Sequence, residues 1–105
     1  MTLKKLLIAA LIFLPSAALA QEQGDPKDGL IYAKQVCAEC HVVGPEGGLS
    51  NITDAKSFKS IANRPGLSAV AIGAWMQSNH ETMPHIVPAP HDLNDVIAYI
   101  VSLKD

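Results

Sequence analysis

Both cysteines of this 105-residue chain lie in the stretch VCAECH at residues 36–41, with Cys37 and Cys40 three positions apart and His41 next to the second. Three chemistries use such a pair. A redox-active dithiol sits at a helix N-terminus, where the dipole lowers the attacking thiol's pKa, among alternating strands and helices. A zinc centre takes four ligands, commonly from a second C-x-x-C or a paired histidine motif. His80, His85 and His91 could supply further imidazoles, but no complete zinc pattern is present. The third chemistry is covalent haem, for which C-x-x-C-H is the attachment signature. Two thiols add to the two vinyl groups on one porphyrin edge, a two-residue spacer lets one short turn present both sulfurs, and the adjacent imidazole becomes the proximal iron ligand. The bland alternative is a chance pair of buried or disulfide-linked cysteines.

The compartment and the size of the chain favour the third chemistry. Residues 1–20, MTLKKLLIAALIFLPSAALA, carry two lysines, an apolar run from Leu6 to Leu14 and small residues ending in ALA. That pattern predicts a secretory signal peptide cleaved after Ala20, and the run is too short for a membrane anchor, which takes about 20 apolar residues. An exported chain reaches the extracytoplasmic compartment, where haem attachment takes place. Residues 21–105 form one small domain, too small for a large core and expected to need a staple or a cofactor in its middle. Cys37 and Cys40 are too close together to staple distant segments. Six basic side chains against ten acidic ones leave residues 21–105 with a formal charge of −4, and the absence of a basic stripe excludes a nucleic-acid binder. A docking partner would offer positive or apolar surface.

The elements that must position the cluster are helical. GDPKDGLIYAKQVC predicts a helix capped by Asp25, with Pro26 in its first turn and Ile31, Ala33, Val36 and Cys37 on one face, delivering Cys37 at its C-terminal end. VVGPEGGLSNITD is a loop. A short helix capped by Asp54 follows, carrying Phe58, Ile61 and Ala62 inward. Ser68 caps another over about Ala69 to Ser78, with Ile72, Trp75 and Met76 at helical spacing. Pro84, Pro88 and Pro90 make residues 79–91 a rigid strap. The last helix runs from about Pro90 to Lys104, with an apolar stripe of Leu93, Val96, Ile97, Ile100 and Leu103, and with Asp92 and Asp95 in its first turns. No strand-period run is present, so the fold class is all-α.

With these residues in place, the sequence resembles the small class I c-type cytochromes of bacterial periplasms, from DGLIYAKQVCAECH through TMPHIV to DVIAYIVSLKD. The resemblance implies three to four helices wrapped around one covalent haem c, with residues 21–105 as a monohaem domain. It also implies a crossing of the first and last helices in which Gly29, Tyr32 and Tyr99 take part. Pro45 looks like the proline whose carbonyl orients the proximal imidazole in that family. Trp75 and Arg64 are candidates for packing on the haem and pairing with a propionate.

The sixth iron position decides what a haem does, since a filled one carries electrons and an open one binds gases or activates peroxide. Candidates are Met76, His80, Met83, His85 and His91. In the family the ligand is a methionine in the loop before the last helix, often followed by proline, which matches Met83 with Pro84. The expected iron ligands are therefore His41 and Met83. The expected function is a soluble, monomeric periplasmic electron carrier with no enzyme activity, passing single electrons between redox partner proteins such as a dehydrogenase or oxidase, with no membrane span after leader cleavage. A gas sensor or peroxidase with an open or displaceable sixth position is the competing reading. The chain holds one haem motif where dihaem peroxidases hold two, and it places that motif early where four-helix gas-binding cytochromes place it late.

Overall fold

The structure, a computed structural model, describes residue 12 and residues 24–50, 54–78, 83 and 87–105. The expected signal peptide at residues 1–20, apart from residue 12, and His80, Pro84 and His85 of the strap lie outside the described residues. Among the described residues four α-helices follow one another, α1 (Pro26–Val36), α2 (Phe58–Ala62), α3 (Ala69–Gln77) and α4 (Pro90–Ser102), and a 3-10 turn at Cys37–Glu39 prolongs α1. No strand occurs among the described residues, and the all-α class holds.

Helix α1 begins as its sequence dictates. The Asp25 carboxylate accepts the Lys27 N–H at 2.8 Å, Pro26 occupies the first turn, where its missing N–H costs nothing, and Asp28 adds an acid near the positive end of the helix. The face that α1 buries is set by Gly29. A Cβ there would lie 2.0 Å from the Asp95 carbonyl oxygen and 2.8 Å from Tyr99 Cβ, so only glycine lets the two backbones approach this closely. Ala33 is fully buried four positions on, and Cys37, four further, packs against the same core. This rotation corrects the expected inner face: Ile31 is 55% exposed, because two positions from Gly29 means about 200° round a helix of 3.6 residues per turn.

Helix α4 carries the core. Leu93, Val96, Ile100 and Leu103 are buried, Ile97 is half-buried, and α4 packs on α1, α2 and α3. Each such side chain contributes about 1.5–3 kcal/mol when fully buried. Asp95 and Tyr99, on the same helix, are buried too.

Helix α2 starts later than expected, and its cap is Ser57, whose hydroxyl accepts the Ser60 N–H at 3.0 Å. Asp54 cannot cap it, because Ser57 is extended (φ −63°, ψ 153°) and the Phe58 N–H is committed to the Val42 carbonyl at 3.0 Å. Helix α3 is capped by Ser68 as expected, through a 3.1 Å bond from the Ala71 N–H. Its Ile72 and Gly73 are buried, whereas Trp75 is 59% exposed. Among the described residues no helix is long and apolar enough to cross a membrane.

Candidate haem-attachment site

The attachment motif is folded into one tight turn. As α1 ends, the Cys37 N–H still bonds to the Ala33 carbonyl, and the Cys37 carbonyl then accepts from both Cys40 N–H (3.1 Å) and His41 N–H (2.9 Å). Both cysteines are unbridged and half-buried. Burial pushes the Cys37 thiol up to about 11, so it is held as a neutral thiol. That is the reverse of what a redox-active dithiol needs, and the pair stands at the C-terminal, negative end of α1, as its sequence position predicts. Tyr32 beside it is also raised, by burial first and then by Cys37 and Asp92. Among the described residues no three His, Cys, Asp or Glu side chains come together as a metal-holding group.

His41 is aimed by its second nitrogen. Nδ1 lies 2.6 Å from the Lys56 carbonyl oxygen, and a carbonyl only accepts, so Nδ1 carries the proton and Nε2 keeps its lone pair. The Phe58 ring tilts against the imidazole, centroids 5.4 Å apart at 51°, and Tyr99 tilts against Phe58 at 6.3 Å. The next two residues are tied as well: the Val42 carbonyl accepts the Phe58 N–H, and the Val43 carbonyl accepts the Tyr99 hydroxyl. Three consecutive residues after Cys40 are thus each bonded to a different point of the α2 region or α4. Burial raises the Tyr99 pKa, with the Glu46 carboxylate adding to it.

Two half-buried thiols on one turn, next to an imidazole whose Nε2 is the free donor, fit a covalently attached haem with its iron on His41. On α3, Val70 and Trp75 are 72% and 59% exposed.

The remaining site residues are placed unevenly. Met83 is half-buried, Met76 is half-buried against the core, and His91 is exposed, with Nε2 3.3 Å from the Asp95 carboxylate. Pro45 is exposed, and the acceptor for His41 is Lys56, a correction to the expected role of that proline. The chain turns back just beyond Pro45, with the Gly47 N–H on the Gly44 carbonyl at 3.2 Å, and reaches the imidazole only after the loop is complete. Arg64 is exposed in the turn after α2. Lys56, Phe58 and Asp95 carried no residue-type signal: the first acts through its backbone, the second reads as core and the third as a dipole-facing acid.

A family model described as cytochrome c matches residues 30–104. Cytochrome c-552 of Bradyrhizobium diazoefficiens is 34% identical over 98 residues, which cover 93% of this chain and 90% of that protein. No solved structure matches the chain.

Proposed function

The chain belongs to the cytochrome c family, and from that premise we propose that it is a periplasmic one-electron carrier whose single haem c has His41 and Met83 as axial ligands. Haem c, held through Cys37 and Cys40, supplies the one-electron couple of its iron. The chain's part is to bind, orient and insulate it. The observation that carries the reading is the hydrogen bond from His41 Nδ1 to the Lys56 carbonyl, on the same turn that holds both thiols. Acceptors of this kind fix the tautomer and raise the basicity of a ligating imidazole.

Met83 is the proposed sixth ligand because it precedes a proline in the strap before α4 and is half-buried. A thioether is a soft, weak donor that favours reduced iron, so His/Met ligation raises the potential relative to two imidazoles. It also fits both oxidation states with little movement, as fast transfer requires. Residues 1–20 act as the export leader, and the mature domain meets its redox partner as a monomer. An excess of acidic over basic side chains suits a partner surface that is positive or apolar.

Mass spectrometry of the exported protein tests the reading: loss of residues 1–20 and a gain of one covalent haem are expected, and bare peptide with free thiols refutes it. The oxidised spectrum should carry a weak far-red sulfur-to-iron band, and carbon monoxide should leave the reduced spectrum unchanged. Rapid carbon monoxide binding would instead favour a gas sensor or peroxidase with a displaceable ligand.

A further inference from the structure

Helix α2 has five residues, too few to hold its direction by its own hydrogen bonds. Both of its ends are tied to other parts of the fold. At the leading end, the Phe58 N–H bonds to Val42, and two positions earlier the Lys56 carbonyl meets the His41 imidazole. At the trailing end, Lys59 Nζ donates to the Leu103 carbonyl at 3.1 Å and to the Asp105 carboxylate. Asn63 Oδ1 accepts the Asp105 N–H at 3.0 Å, while its Nδ2 donates to the Lys59 carbonyl at 2.9 Å. The lysine stem is confined from above by Gly47, where φ is +69° and a Cβ would lie 3.1 Å from Lys59 Cβ. A short helix pinned at one end beside the imidazole and at the other on the end of α4 can transmit the placement of α4 to the imidazole.

We propose that Lys59 and Asn63 are positioning residues for the proximal histidine: they latch α2 to the end of α4 and so set the length and angle at which the Lys56 carbonyl meets His41 Nδ1. This rests on the reading of His41 as the iron ligand. Loosening the latch lets α2 pivot about Phe58 and lengthens the bond from Nδ1. The imidazole then becomes a poorer donor, oxidised iron is stabilised less, and the reduction potential rises. Removing a positive charge acts in the opposite direction, because a cation nearby disfavours the more positive oxidised iron. The sign therefore separates geometry from charge, and Asn63→Ala, which leaves every charge in place, isolates the geometry.

The test uses the exported, haem-loaded protein with Lys59→Met, Lys59→Arg and Asn63→Ala, reading the potential by redox titration and the His41 Nδ1–H by proton resonance. In Lys59→Met the balance is expected to move toward the reduced form by about threefold, which is about 28 mV at 59 mV per tenfold for one electron. The resonance should move with it. Asn63→Ala, which changes no charge, should shift both in the same direction by less, and Lys59→Arg should restore both. A lower melting temperature with potential and resonance unmoved would mean a merely structural latch and overturn the proposal. So would a potential that falls in Lys59→Met and stays fixed in Asn63→Ala. If Lys59→Met does not mature, Asn63→Ala decides alone by the same two readouts. A wild type without covalent haem, or with iron on a residue other than His41, overturns the underlying reading; a His41-ligated wild type with unmoved variants overturns only the latch.

Discussion

The Asp95 carboxylate, 3% exposed, accepts the backbone N–H of Asp25 at 2.8 Å across 70 positions of sequence. One side chain of α4 thus fastens the residue that caps α1, just above the point where Gly29 lets the two helices touch. Its other oxygen lies 3.3 Å from the exposed His91 ring. Asp95→Ala leaves that N–H without its acceptor and is expected to destabilise the domain by about 1–3 kcal/mol. His91→Ala removes only the contact of an exposed ring, leaving the Asp25 bond in place, and should cost less than about 1 kcal/mol. Denaturant titration of both variants checks the contrast, and equal effects would show that the Asp25 bond is not what Asp95 contributes.

Gly29→Ala places a methyl 2.0 Å from a backbone oxygen, which cannot swing aside as a side-chain tip can. The helices must separate, at a cost of about 3 kcal/mol or more, toward the upper end for overpacked sites. Thermal unfolding of the haem-loaded variant measures it. A melting temperature within a degree or two of the wild type would mean that the crossing is looser than these contacts imply.

Alkaline stability should depend on Tyr99. Its pKa is raised above 10.0, by burial first and by Glu46 second. The unfolded chain therefore loses this proton at a lower pH than the folded one. The contribution is fully present below pH 10, the unfolded value, and is lost as pH rises through the higher folded value. Tyr99→Phe should lower stability at pH 7 by about 1 kcal/mol, through the bond lost to Val43, and should flatten the decline above pH 10. Parallel pH-stability curves for the two proteins would contradict this.

Met83→Ala should abolish the far-red band and lower the potential, whereas Met76→Ala should change neither. Met76 packs half-buried against the core, where methionine is usual filler. Optical spectra of the two oxidised variants decide between them, and a band lost with Met76 would reassign the ligand.

The sequence made some of this plain for identifiable reasons. The attachment turn was legible because three reactive groups fall within five positions. The caps at Asp25 and Ser68 and the stripe of α4 were legible because side-chain type determines them. The Lys56 acceptor was not, since any residue offers a carbonyl and only the path of the loop decides which one meets His41. Ile31 was misplaced because apolar spacing alone does not register a glycine contact that rotates the helix, and that contact outweighs one isoleucine. Asp95 read as an acid suited to a helix start, which it is, but its burial depends on α1 arriving alongside.

The crossing of α1 with α4 joins nearly the two ends of the domain, so the order of elements along the chain matters. The attachment turn is synthesised early, yet Val43 has no hydroxyl to accept from, and Ala33 no wall to press on, until the final helix has emerged. Proteolytic nicking anywhere in the long intervening stretch would leave Cys37, Cys40 and His41 intact as a peptide while raising the entropy of bringing α4 back. Cooperative survival, with no stable half, is the behaviour such a closure imposes.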